Sequence, residues 1–250
     1  RPWGQYARIP LECPFHKVRI GRGDAPRSFM PMRELTPAAD LFPSTTQDGA
    51  RLPEQYAALW QGLRRSLAAL DRLQDAELFC ESLASLSERY LSTVPSSTKD
   101  QPDVSLHDHS RAAAAIAAAM YAWHAAKDNL ADTAAIRDRG TPKFRLLVGD
   151  LSGIQSTLFR LSNQRVRGLN RILRARSFLF GMLIDAAALL ARRKLGLPVF
   201  NVLENAGGRF LLLAADVPNI EEKVASLRRE IERWMFQRYA GELSLNLALS

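Results

Sequence analysis

The residues best placed to do chemistry are one carboxylate behind an apolar run and a pair of glycines far downstream. Leu146-Leu147-Val148 bounded by Gly149 reads as a short buried strand. Asp150 is expected where that strand gives out, and Ser152-Gly153 opens a helix running through Leu158 and Phe159. A carboxylate delivered to a strand end beside a helix N-terminus is a geometry for holding phosphate or a metal. Gly207-Gly208-Arg209 can cradle a nucleotide, because glycines let backbone N–H groups approach phosphate and Arg209 adds charge. A tight hairpin that needs glycine for its dihedrals explains the same pair. No acid follows the glycines, and two metals bridging a triphosphate need more carboxylate than Asp150 supplies. Nucleotidyl transfer is therefore not expected from these residues alone.

Two further clusters stand out. Arg160, Arg165, Arg167, Arg171, Arg174 and Arg176 make six arginines in seventeen residues with no acid among them. Arg167, Arg171 and Arg174 would share one helical face, and phosphate contact with RNA or DNA is the expectation, a solvated surface the alternative. No aromatic residue is interleaved, so base stacking is not indicated. Asp108 and His109, with His107 beside them, form an acid–imidazole cluster. It reads as part of a metal site of a helical phosphohydrolase, or as an N-cap aspartate with a hydrogen-bonding histidine. His124 lies about four turns further along, too far to join. Missing ligands would come from outside the chain or from His16, whose pairing with Cys13 is more simply a packed turn.

The elements that must position these groups fall into two patterns. Residues 1–55 are rich in Pro and Gly and short on periodicity. Tyr56, Leu59, Trp60, Leu63, Leu67 and Leu70 then form an apolar stripe, and Leu78–Leu91 a second helix. The alanine-rich run at 102–126 makes a third, capped by Ser105, Asp108 or Ser110. Residues 127–143 are polar and end in Gly140-Thr141-Pro142, a linker between a helical domain at 1–126 and an α+β domain at 144–250. In the latter, strands are expected at Phe144–Gly149, Pro198–Leu203, Arg209–Ala214 and Leu243–Leu249. Helices are expected from Ser152 to about Leu195, broken near Asn163–Gly168, and from Ile220 to Trp234. The order βαββαβ is that of a ferredoxin-like fold.

Composition narrows the class. At 250 residues and 47% hydrophobic, the chain can bury one large or two modest cores. It opens on Arg1 and stops within the alternation ending Leu249-Ser250, which suggests a piece of a longer protein. Cys13 and Cys80 have no CxxC companion, so reduced thiols in a cytoplasmic protein are expected. The most apolar helical run, Phe178–Ala191, carries Asp185 and is too short to span a bilayer, and no signal peptide is evident. The net charge of +8 favours an anionic partner, nucleic acid before membrane.

Several segments taken together resemble a known family. They are Leu91–Thr98, Pro102–Ser110 with Ala114–Ala117, Gly149-Asp150-Leu151-Ser152-Gly153-Ile154-Gln155, Arg174–Phe178, Leu195–Pro198 and Ala206-Gly207-Gly208-Arg209-Phe210. In this order they resemble the large subunit of type III CRISPR effector complexes in its Csm-type form. That resemblance implies a partial HD-type helical domain followed by the first of two ferredoxin-like palm domains. It implies ATP as substrate for cyclic oligoadenylate synthesis on target-RNA binding, with a divalent metal, Mg or Mn, in the parent protein. It also implies single-stranded DNA cleavage as a second activity, guide RNA, target RNA and neighbouring effector subunits as partners, and no membrane. Carried over residue by residue, Asp108 and His109 match a late HD-domain motif. Asp150, Ser152, Gly153, Gln155, Gly207 and Gly208 match the first palm. The early Leu-His-Asp-Ile-Gly type of doublet is missing, His107 stands where tyrosine is usual, and no Gly-Gly-Asp-Asp occurs. Both chemistries are thus incomplete in these residues, and the first palm would lend ATP-binding walls to metals held on the second. The alternative is a catalytically inactive scaffold that docks RNA and neighbouring subunits.

Overall fold

The computed structural model describes residues 9–18, 26–37, 41–46, 48–159 and 168–250. They fall into two compact units divided between Ala113 and Ala114.

The first unit is built on α1 (Leu52–Leu67) and α2 (Ala76–Leu91). Leu59 and Leu63 of the expected stripe pack into a core completed by Leu52, Met32, Tyr90 and Val94. Trp60 departs from that stripe and is 58% exposed, on a flank of the helix that the described residues leave open. On α2 the buried residue is Tyr90, whereas Leu78 and Phe79 face solvent. Gly62 is required by this packing: a Cβ there would come 2.6 Å from the Tyr90 ring. Asp75 caps α2 by accepting from the Leu78 amide. The Pro-rich N-terminal segment is irregular but tied down. Glu12 is buried and gripped by Arg27 at 3.0 and 2.7 Å, and isolated bridges join Phe29 to Glu12 and Ser44. The Tyr56 hydroxyl donates to the Ile9 carbonyl at 2.7 Å, and burial pushes that phenol up to about 12.

The second unit holds the later part of α3 (Leu106–Ala126), the short α4 (Thr133–Arg137) and a mixed α/β body. Its strands are β1 (Phe144–Ser152), β2 (Val202–Ala206), β3 (Arg209–Ala215) and β4 (Ser244–Leu249). They form one antiparallel sheet in the order β2-β3-β1-β4. α5 (Ile154–Phe159) and α6 (Leu169–Leu195) follow β1, and α7 (Ile220–Tyr239) links β3 to β4. The break expected between helices at 163–168 lies, Gly168 apart, outside the described residues.

Alternation sorts the sheet into two faces. Leu147, Leu151, Phe210, Leu212, Leu245 and Leu247 pack beneath Phe180, Ile184 and Ala188 of α6 and Val224, Leu227 and Ile231 of α7. Gly149 sits under the Phe210 ring, which occupies the space where a Cβ would be. On the opposite face Ala115, Ala119 and Trp123 of α3 cover Leu213 and Ala215. Phe144, Leu146 and Asp150 on that face are exposed. β1 is therefore half-buried, not the fully buried strand its apolar run implied.

The second strand is displaced from its expected span. Pro198 leads into a 3-10 turn at Val199–Asn201, and β2 begins only at Val202. The cause is Asn201, fully buried, whose amide donates to the carbonyls of Leu213 (2.7 Å) and Ala115 (3.2 Å). A side chain satisfying main-chain acceptors in this way competes with strand geometry. The hairpin shrinks correspondingly to Gly207-Gly208, at φ of 64° and 86°, as a two-residue turn with both residues left-handed requires.

Candidate functional site

Asp150 lies inside β1, not at its end. The strand continues to Ser152, with Asp150 opposite Arg209 of β3 and Asn246 of β4. Directly opposed residues of an antiparallel pair point to the same face, so Asp150, Arg209 and Asn246 form a polar row across the open side of the sheet. Asn246 donates to the Ser152 hydroxyl at 2.9 Å. Arg209 reaches Glu204 of β2 at 3.5 Å. Glu204 was not singled out from sequence, although its place in the strand Val202–Ala206 put a carboxylate within reach of this row. The row thus carries carboxylate, guanidinium, amide and hydroxyl groups, all solvent-accessible.

The glycines lie at one end of this row. The Leu151 amide donates to the Gly208 carbonyl at 2.8 Å. A Cβ on Gly208 would stand 2.5 Å from Ile154 Cδ1, so the hairpin is pressed against the start of α5. Gly153, at φ 91°, has the Glu242 carbonyl where a Cβ would go. Gln155 is exposed on α5. The fold therefore brings Asp150, Ser152, Gly153, Gly208 and Arg209 to one end of the sheet, with Gln155 beside them on α5. The residues do not fit a pair of bridging metals. Asp150 is a single carboxylate, and Glu204, an acid on the same face, is matched by Arg209.

The Asp108 cluster is built differently. Ser105 is the cap of α3: the Asp108 amide donates to its hydroxyl at 3.0 Å, and that hydroxyl donates to the Asp108 carboxylate at 2.6 Å. This is the capping arrangement that the spacing Ser105–Asp108 permits. His109 is exposed. His107 is buried, with Nδ1 3.0 Å from the Ser87 hydroxyl. Burial lowers its pKa, the nearby Asp108 opposing that shift in part. Among the described residues, no three His, Cys, Asp or Glu side chains converge as metal ligands. The side chain of His16 lies outside them.

Of the six arginines, Arg160, Arg165 and Arg167 lie outside the described residues. Arg171 and Arg174 are exposed on the first turns of α6, and Arg174 bonds the Asn170 carbonyl. Arg176 is partly buried and donates to the Thr157 carbonyl at 2.5 Å, which ties α6 to α5. Sequence reasoning also missed Lys143. Its buried ammonium donates to the carbonyls of Ala135 and Asp138 and stands 5.4 Å from the Trp123 ring centroid. No helix among the described residues is long and apolar enough to cross a membrane.

Comparison with known proteins agrees with this architecture. Residues 143–250 match the sequence model of a family described as Csm1 subunit domain B. A curated relative from Thermococcus onnurineus, a CRISPR system single-strand-specific deoxyribonuclease Cas10/Csm1 of subtype III-A, is 31% identical over 213 residues, covering 85% of this chain and 25% of its own length. A crystal structure of an apo Csm1-Csm4 cassette superposes with a TM-score of 0.75 at 27% identity, covering 99% of this chain and 31% of that one. A Csm1-Csm4 cassette in complex with one ATP gives 0.71 at 27% identity, with 99% and 31% coverage. The chain spans about a quarter of the length of the curated relatives it matches.

Proposed function

Because this chain belongs to the Cas10/Csm1 family of type III-A CRISPR large subunits, we propose that its open sheet face is one wall of an ATP site in the full-length protein. The observation that carries this reading is the row Asp150–Arg209–Asn246 ending at the Gly207-Gly208 hairpin. Arg209 and the hairpin amides meet phosphate, while Asp150 and Asn246 accept from and donate to the nucleoside. The resemblance to a Csm1-Csm4 cassette holding one ATP supports it.

In this reading residues 144–250 are a ferredoxin-like first palm, residues 127–143 a linker and residues 1–126 the later part of an HD-type domain. Cyclic oligoadenylate synthesis is triggered by target RNA paired to guide RNA, in the cytoplasm, alongside a Csm4-type neighbour. Any Mg or Mn of that chemistry is held by carboxylates elsewhere in the parent protein, since the residues here do not fit it. Asp108 and His109 take part in single-stranded DNA cleavage only with donors from outside this chain.

The test uses the full-length protein, assembled with guide RNA and given target RNA and ATP. Asp150→Ala and Arg209→Ala should each weaken ATP binding about tenfold, the loss of roughly one charge-assisted hydrogen bond. If neither changes ATP affinity or cyclic product formation, the nucleotide reading fails, and a scaffold that docks RNA and neighbouring subunits replaces it.

A further inference from the structure

α6 carries a single acid in its whole length, Asp185, set among Met182, Leu183, Ile184 and three alanines. Aspartate is a poor residue for the middle of a helix, because its short carboxylate competes for backbone amides. Helix stability therefore does not account for it, whereas a contact does. The side-chain amide of Asn205 donates to Asp185 Oδ1 at 2.8 Å.

Asn205 stands at the root of the glycine hairpin, with only Ala206 between it and Gly207-Gly208. It pairs with Phe210 of β3, which is fully buried beneath α6 and α7. Directly opposed residues share a face of the sheet, so Asn205 is on the helix-covered side. Asp150, Arg209 and Asn246 are on the open side. Asp185 thus reaches the hairpin from behind the sheet, out of touch with anything bound to the open face.

β2 has particular need of such a tie. It is an edge strand, paired among the described residues with β3 alone, and its pairing is irregular between Val202 and Glu204. After that irregularity only Glu204, Asn205 and Ala206 keep register before the turn. The other arm of the hairpin is held from β1, where the Leu151 amide donates to the Gly208 carbonyl. The Asn205–Asp185 bond is the matching hold on the β2 arm, and its carboxylate acceptor makes it stronger than a neutral pair. Glu204, one residue earlier, meets Arg209 at 3.5 Å on the open face. Fixing Asn205 therefore also fixes the carboxylate that orients the Arg209 guanidinium.

We infer that Asp185 is a positioning residue for the glycine hairpin, setting through Asn205 how the Gly207-Gly208 amides and Arg209 meet phosphate. That role presupposes that the open face binds ATP. Small displacements of groups that bind and orient a substrate are costly, so a tie outside the site can act on it.

The test uses the full-length protein assembled with guide RNA and given target RNA. ATP affinity, KM and kcat for cyclic product, and the thermal midpoint are measured on the same preparations. Asp185→Leu suits a helix better than aspartate does, so the midpoint should hold or rise. ATP binding should nevertheless weaken about fivefold, and KM should rise more than kcat falls. Asn205→Ala should lose about as much affinity, and the double variant no more than either single one, because both remove the same bond. Asp185→Asn keeps an acceptor oxygen for Asn205 and should recover most of the affinity. A midpoint that drops in Asp185→Leu, with kcat lowered and KM unchanged, would assign Asp185 to stability alone and overturn the role. Losses that multiply in the double variant would overturn it too, since the two residues would then act separately. So would unchanged affinity in both single variants while Arg209→Ala still weakens ATP binding. If Arg209→Ala and Asp150→Ala also leave ATP affinity intact, the nucleotide reading itself has failed, and Asp185 has no site to position.

Discussion

At the scale of single residues, the two histidine–acid and carboxylate–arginine groupings separate cleanly by environment. Asp150 stands in solvent with Arg209 opposite it, free to meet a ligand. Asp108 spends its carboxylate on the Ser105 hydroxyl and so holds the first turn of α3. His107, one residue earlier, is buried against Ser87 with its pKa lowered, so the folded state prefers neutral imidazole. Stability from this group is complete above the unfolded value, about 6.5. It is lost as pH falls below that value, because the unfolded chain takes up the proton first. Thermal unfolding of the wild-type protein should therefore show a falling midpoint between pH 7.5 and 5.5, and His107→Gln should flatten that dependence. A midpoint equally pH-sensitive in both proteins would assign it to other groups. Asp108→Ala removes one capping interaction and should cost about 1 kcal/mol by denaturant unfolding. A loss of DNA cleavage with unchanged stability would instead favour a ligand role.

At the scale of elements, legibility in the sequence followed periodicity. α7 and β4 were plain, because Ile220, Val224, Leu227 and Ile231 recur at helical spacing and Leu243, Leu245 and Leu247 alternate, and all seven are buried, whereas Trp234 at the same spacing is 48% exposed. β2 was misplaced because its start is set by Asn201, whose partners Ala115 and Leu213 are remote in sequence. No local pattern announces such a bond. Trp60 fits a core face by spacing for a similar reason, yet no described element buries it. The site was half legible. The residue types at Asp150, Gly208 and Arg209 pointed to phosphate, whereas Glu204, Asn246 and the true position of Asp150 within β1 needed the strand register.

Asn201 also yields an element-scale prediction. Replacing it with Ala leaves the Leu213 carbonyl without its amide donor in a buried place, which costs about 1–3 kcal/mol. Hydrogen exchange should then quicken at β3 and the second half of α3 first. Uniform protection identical to wild type would mean that water or a neighbour replaces the amide. Removing charge at Arg171 and Arg174 of α6, together with Arg167 before it in the sequence, should weaken nucleic-acid binding and flatten its salt dependence. Arg176→Gln should act instead on stability, through its bond to Thr157. Affinity unchanged by the triple variant would leave that helix face a solvated surface.

At the scale of the whole molecule, each unit owns a separate apolar cluster. Met32, Leu52, Leu59, Leu63, Tyr90 and Val94 make one, and the sheet with α6 and α7 makes the larger other. Large-to-small changes in a close-packed interior cost about 2–5 kcal/mol and are felt first by the groups that lined the lost side chain. Leu212→Ala, from a fully buried position, should therefore raise amide exchange across β1, β3, α6 and α7 while α1 and α2 keep their protection. Leu52→Ala, equally buried, should do the reverse. ATP binding then discriminates between the units. It should fall in the Leu212 variant, whose damaged core supports the Asp150–Arg209 row, and persist in the Leu52 variant. If either substitution depressed both sets of amides to the same degree, the two units would be one cooperative body.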